Sequence, residues 1–355
     1  MRTVTGVRCR VLRRMTGYSG LYVREYGSSE SFALPETFST PTSSIETIRP
    51  DVLSRLANCL PRNAWTCDEV TNGQPLRSAA HWLFHLEADI LNHDDRFERA
   101  GPDGVPVCFP GYRRMWAGGS IDFVEPIYLG SDVKKEVQVV DVQKKKSARS
   151  GEMIFVKRKS VLRDATDGRV RTIDTTNHVY VKSETRYSPR KVDKEERDDE
   201  VPIFDWSHTI CADPVSLFRF SALTWNSHRI HYDVEHATKV EGYPDLVVHG
   251  PMLAILMLDS YQDHRLRAVG QNIDEECTAF CGYRFTYQGV QPAFVNRSLT
   301  IAGSRRPGSG GSNRSGCNES DPPVDARIRA TNELGELCMR ATVTRLVTSD
   351  RTGGR

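Results

Sequence analysis

The chain has 355 residues, length enough for two domains with their own cores, and its 48 basic against 46 acidic residues leave a net charge of +2. That balance gives no electrostatic argument for nucleic acid. Nine cysteines at irregular spacings form no disulfide framework and point to a reducing compartment, and no apolar run is long enough for a membrane span.

The N-terminus carries Arg2, Arg8, Arg10, Arg13, Arg14 and Arg24 with no acid before Glu25. This is the composition of a mitochondrial transit peptide, here expected within residues 1–30, with a cytoplasmic location as the alternative. Residues 45–61 read as a helix, and residues 79–86, AAHWLFHL, as a strand or a short apolar helix. Alternating patterns then predict strands over 119–129, 137–142, 152–162 and 172–181. The charge run of residues 182–202 marks a boundary, so a first domain of residues 31–185 and a linker of residues 186–202 are expected, followed by a second domain over residues 203–350. In that second half, strands are predicted over 277–288, 298–303, 327–332 and 336–347, with Cys277 and Cys281 as packing residues. A Gly/Ser/Pro tract, residues 304–323, reads as a disordered loop within it.

The segment Phe220–Ala254 says most about chemistry. Its centre, Asn226-Ser-His228-Arg-Ile-His231-Tyr-Asp233, is rich in turn-formers and polar groups, which predicts a loop held out by a scaffold. Val247-Val-His249-Gly250-Pro251 then opens the apolar run Met252–Leu258, predicted to be a buried central helix with proline at its first position. Imidazole titrates near neutrality, so His231 is the candidate base that takes a proton and returns it. The free N–H groups at the helix start suit a carbonyl oxygen gaining negative charge, and Gly250 would let substrate approach that backbone. Base plus oxyanion donor is the minimum set for enolate chemistry at a thioester, including gain or loss of water across the α,β bond. Asn226 either braces the loop through an Asx-type hydrogen bond or orients the reacting water. Asp233 is an N-terminal cap or an assisting acid, His228 an assisting group, and His249 a packed residue or one beside the thioester. His208, His228, His231, His236 and His249 raise the question of a metal, but no cysteine or carboxylate completes a familiar zinc spacing, and no metal is expected.

These residues resemble the MaoC-like, (R)-specific enoyl-CoA hydratase and dehydratase family. Aligned on His231, the family motif Gly-Asp-x-Asn-Pro-x-His places its aspartate at Asn226, its asparagine at His228 and its proline at Arg229. An asparagine there cannot ionise, so the family's paired Asp/His mechanism does not carry over whole. Asn-x-His-Arg-Ile-His-Tyr-Asp followed by Glu-Gly-Tyr-Pro-x-Leu-Val-Val-His-Gly-Pro is similar to the branch that holds the type 2 hydroxyacyl-thioester dehydratases and the mesaconyl-CoA hydratases. The block Arg113-Arg-Met-Trp-Ala-Gly-Gly-Ser-Ile-Asp-Phe123 resembles that branch's N-terminal domain.

The resemblance implies an α+β double hot-dog, each half an antiparallel sheet around a long helix, with one active motif in the second half. The first half would then build the acyl tunnel or bind the pantetheine arm. It implies a hydro-lyase that needs no cofactor and takes an acyl-CoA or acyl-carrier-protein thioester, with a homodimer as a compatible assembly. The expected reaction is dehydration of (3R)-3-hydroxyacyl chains in mitochondrial fatty acid synthesis. Hydration of a short branched enoyl-CoA such as mesaconyl-CoA, a step in fungal secondary metabolism, thioester cleavage, and a non-catalytic thioester-binding protein are the alternatives.

Overall fold

The computed structural model describes residues 42–61, 70–77, 79–86, 111–147, 151–188, 204–269, 282–305 and 324–346. The expected transit peptide, most of the charged linker, the Gly/Ser/Pro tract and the Cys277 to Cys281 pair lie outside these residues.

The described strands form one antiparallel sheet in the order β1-β3-β4-β5-β2-β7-β10-β9-β8-β6. The first five come from the N-terminal half: β1 (Thr42–Thr47), β2 (Tyr112–Phe123), β3 (Asp132–Ser147), β4 (Gly151–Asp164) and β5 (Val170–Lys182). The second five are β6 (Trp206–Cys211), β7 (Tyr283–Gly289), β8 (Ser298–Arg305), β9 (Val324–Thr331) and β10 (Leu337–Arg345). The halves join where β2 pairs with β7, from Gly118 opposite Gln288 to Phe123 opposite Tyr283. Arg284 on β7 fastens the seam by donating two hydrogen bonds, of 2.6 and 2.8 Å, to the Asp122 carboxylate on β2.

Alternation located β4, β5, β8, β9 and β10 to within about three residues, whereas the strand expected over 119–129 is corrected to Tyr112–Phe123, the one expected over 137–142 extends to Asp132–Ser147, and Trp206–Cys211 is a strand outside every expected range. The expected helix over 45–61 is corrected. Thr42–Thr47 is a strand paired with β3, and only Pro50–Ala57 is helical (α1). The β-branched residues of TSSIET find hydrogen-bond partners along the open edge of β3, and Pro50 starts the helix where its missing N–H costs nothing. Residues 80–83 of the ambiguous AAHWLFHL segment form a short 3-10 turn.

In the second half, α2 (Pro214–Leu223) is capped by Asp213, whose side chain accepts from the Ser216 amide at 2.6 Å. The 20-residue α3 (Gly250–Val269) packs across β2, β7, β8, β9 and β10. Met252 through Leu258 are each at most 3% exposed, which accounts for the all-round apolar sequence. At roughly 1.5–3 kcal/mol per large side chain, this burial dominates the placement of the helix. Gly250 is the first helical residue and Pro251 the second, one step later than the sequence suggested. The buried Arg77 reaches Asp259 on α3 at 2.8 Å, giving the acidic group in the lower half of the helix its counter-charge.

Candidate active site

The chain leaves α2 through Thr224, whose hydroxyl donates to the Phe220 carbonyl at 2.7 Å. Trp225 then takes a left-handed conformation (φ 55°), which turns the backbone so that the Asn226 amide donates to the Ser221 carbonyl. Asn226 Oδ1 accepts from the His228 amide at 3.0 Å, which is the loop-bracing role. Arg229–His231 form a single 3-10 turn. Asp233 accepts from the His236 amide at 2.9 Å and pairs with Arg229 at 2.7 Å. These contacts hold its carboxyl below the usual range, the His236 hydrogen bond first and the Arg229 one next. Asp233 thus serves a free amide at the start of the helical residues 234–235 that lead into the π-helical turn His236–Val240, and its Oδ atoms are engaged with His236 and Arg229.

The loop closes on itself where the Val247 amide donates to Ile230 and His231 Nδ1 meets the Val247 carbonyl at 2.7 Å. A carbonyl only accepts, so Nδ1 carries the proton and Nε2 keeps its lone pair. His231 is 6% exposed, and this burial pushes its pKa down to about 4 against the opposing effect of the Val247 hydrogen bond, with the Arg114 cation adding to the lowering. At neutral pH the ring is an uncharged base.

His249 stacks on it, with ring centroids 3.7 Å apart and planes 20° from parallel. Its Nε2 meets Ser221 Oγ at 2.8 Å, and burial followed by the neighbouring His231 and His228 holds its pKa well below the ordinary value. His228 lies edge-on to His231 with centroids 5.5 Å apart, and burial, then His231 and Arg114, likewise keep it neutral. Three uncharged imidazoles therefore meet at one point. His208 is elsewhere, bonded to Ser260 at 2.9 Å, and His236 sits 3.6 Å from Glu241. Among the described residues, no group of three histidine, cysteine or acidic side chains is disposed to hold a metal ion.

The His249 carbonyl accepts from the Leu253 amide and so opens α3. The first turn leaves the N–H groups of Gly250 and Met252 without intrahelical acceptors, Pro251 having no N–H to offer. The reason for glycine at 250 differs from the expected one. A Cβ there would run into Cε3 and Cζ3 of the Trp116 indole, so the glycine makes room for a side chain from β2.

The first half contributes more than the sequence revealed. Arg113 on β2 forms a buried ion pair with Glu241, at the end of the π-helical turn, and lies 5.9 Å from the Tyr243 ring centroid. The Tyr187 amide donates to the Glu241 carbonyl, and its ring packs on Tyr243 and Phe294. The motif loop is thus held from both halves. Arg113, Arg114 and Trp116 all lie in the Arg-Arg-Met-Trp-Ala-Gly-Gly block, where paired glycines inside a strand signal close approach of a neighbour.

The described strands form an antiparallel sheet with few helices, the fold of the MaoC-like dehydratases. Solved structures agree. A MaoC-like dehydratase from Phytophthora capsici superposes with a TM-score of 0.55 at 16% identity, over 88% of this chain and 97% of that one. HtdX of Mycobacterium tuberculosis gives 0.54 at 15% identity, over 86% and 100%. The model of the hydroxyacyl-thioester dehydratase type 2 family matches residues 79–295, and the chain belongs to that family. It is 34% identical over 205 residues to mesaconyl-C(4)-CoA hydratase of Chloroflexus aurantiacus, covering 56% of this chain and 69% of that protein. It is 28% identical over 271 residues to the mitochondrial hydroxyacyl-thioester dehydratase type 2 of Schizosaccharomyces pombe, covering 69% and 83%. The chain is accordingly a thioester hydro-lyase.

Proposed function

We propose that the site interconverts a 3-hydroxyacyl thioester and a trans-2-enoyl thioester, with His231 as the group that moves the proton. One observation carries this reading: the Nδ1 hydrogen bond to Val247 leaves Nε2 unprotonated in a ring that stacks on His249, the residue just before α3. In hydration, Nε2 takes a proton from water as its oxygen bonds to C3. The π electrons move toward C2 and the thioester oxygen, which the Gly250 N–H stabilises, and His231 then returns the proton to C2. Dehydration is the reverse. On this reading the Asn226 amide nitrogen and His228 hold the water or hydroxyl, while His249, stacked on the ring of His231, keeps it oriented.

The two five-stranded halves read as paired hot-dog domains with the motif in the second. The 20-residue α3 is the central helix of that half, whereas the helix described in the first half, α1, has eight residues. The name of the Schizosaccharomyces pombe relative, a mitochondrial hydroxyacyl-thioester dehydratase, supports dehydration of a hydroxyacyl thioester and a mitochondrial location, and the reaction we assign to the chain is that of (3R)-3-hydroxyacyl chains in mitochondrial fatty acid synthesis, on CoA or an acyl carrier protein. A second reading, hydration of a carboxylate-bearing enoyl-CoA like mesaconyl-CoA, draws on the 34% identical hydratase and on the Arg114 cation whose field reaches His231. The test is loss of the enoyl-thioester absorbance of crotonyl-CoA on hydration, run beside mesaconyl-CoA. His231→Ala should lose roughly a hundredfold or more in kcat with an unchanged circular dichroism spectrum. A folded variant that keeps a tenth of the wild-type rate would remove His231 from the mechanism.

A further inference from the structure

We propose that Trp116 is the end wall of the acyl site and restricts this hydro-lyase to short acyl chains. The inference rests on the reading of His231 and Gly250 given above, but not on either pathway. The indole of Trp116 lies directly against the Cα of Gly250, leaving no space there for even a methyl group. A thioester whose oxygen reaches the Gly250 N–H, with C2 and C3 beside His231, therefore has its carbonyl next to the indole. On this placement the indole stands in the way of an acyl chain that extends beyond C3.

The wall is built to stay in place. Tyr287 stacks on Trp116 with centroids 4.8 Å apart and planes 15° from parallel. Trp82 meets both rings edge-on, at 6.0 Å from Trp116 and 5.7 Å from Tyr287. Trp82 is itself pinned, since its Nε1 donates to Asp174 Oδ2 at 2.6 Å, and His81 Nε2 lies 3.3 Å from the same oxygen. Asp174 is 5% exposed, and these partners keep it ionised although burial opposes that. Gly119 lacks a side chain where the Tyr287 phenol lies, so the third ring sits hard against β2. Trp82 and Trp116 nevertheless keep part of their surface accessible while packed on the core, as walls of a binding site do. An apolar face fixed through a buried carboxylate suits the apolar end of an acyl chain, and it does not match the amide-rich pantetheine arm.

The experiment measures kcat/KM of the full-length protein on crotonyl-, 2-octenoyl- and 2-dodecenoyl-CoA, for wild type, Trp116→Ala and Trp116→Phe, with thermal melts alongside. Wild type is expected to favour crotonyl-CoA by at least tenfold over 2-octenoyl-CoA. Trp116→Ala should raise the octenoyl to crotonyl ratio by tenfold or more, with Trp116→Phe in between. Trp82→Phe, which frees the indole support from Asp174, should move the ratio the same way by a smaller factor. Equal wild-type activity on all three chains, or an unchanged ratio in a folded Trp116 variant, would overturn the proposal while leaving the hydro-lyase reading intact. No turnover of any chain by wild type would instead sink that reading itself. If Trp116→Ala does not fold, Trp116→Phe and Trp82→Phe decide between these outcomes.

Discussion

The pKa of His231 offers a quantitative test of the site, because the imidazole we propose as the base is also buried. Its folded value is about 4 against an ordinary 6.5, so between those limits the unfolded chain binds a proton that the folded one refuses. Stability is therefore unaffected above pH 6.5, falls as the pH drops through that window, and levels off below about 4. The whole window corresponds to about 3 kcal/mol, of which about 2 kcal/mol is lost by pH 5. His85, also pushed to about 4 by burial, and the neighbouring His228 and His249 add their own acid sensitivity. The comparison must therefore be with His231→Gln, measured by urea denaturation at pH 7.5 and pH 5. The drop in unfolding free energy between the two pH values should be smaller in the variant by about 2 kcal/mol or more, since His231 also raises the cost of protonating His228 and His249. In wild type, kcat/KM at pH 5 should hold about nine-tenths of its plateau, whereas an imidazole with the ordinary pKa would leave only a few per cent as free base. An acid limb centred near pH 6.5, or equal pH dependence of stability in wild type and variant, would refute a buried neutral His231.

Most of the strands and the motif loop were legible because their signals are local. Period-two alternation marks half-buried strands, and turn-formers around Asn226 to Asp233 mark a loop between apolar elements. The buried helix was legible because Met252 to Leu258 offers no polar face to water. What failed depended on distant partners. Thr42–Thr47 becomes a strand because β3 presents an open edge to it, a fact absent from the residues themselves. At Gly250 the residues alone could not show that Trp116, carried in by the first half, packs against its Cα. The same holds for Arg113 and Glu241, two ordinary charges until β2 and the π-helical turn bring them together. Asp233 was readable in its capping role, since a carboxylate before a helical turn serves the free amides whatever the tertiary context. The role of Val247 was not readable, because it acts through its backbone carbonyl.

Three further outcomes follow from the loop and its supports. Asn226→Asp should retain or raise hydratase activity and move the acid limb of kcat/KM to higher pH, because a carboxylate beside the imidazoles raises their pKa. Asn226→Ala should lower kcat about tenfold, the value of a lost neutral hydrogen bond, and wild-type kinetics would show the position to be structural. Arg113→Met leaves the buried Glu241 with only the His236 ring, 3.6 Å away, in place of its guanidinium partner, at a cost of about 3–5 kcal/mol in urea denaturation, and Arg113→Met combined with Glu241→Leu should recover most of it. A double variant as unstable as the single one would mean that the ion pair is not the source of the loss. The last outcome concerns stereochemistry. In the proposed mechanism the family's acid position holds Asn226, which cannot ionise, and His231 Nε2 both takes the proton from water and delivers one to C2. A ring fixed through Nδ1 to Val247 and stacked on His249 presents that atom from one side. Oxygen and proton must then arrive on the same face of the double bond, and hydration in deuterium oxide should give the product of syn addition by proton NMR. Anti addition would require an acid on the opposite face and would exclude a single-histidine mechanism.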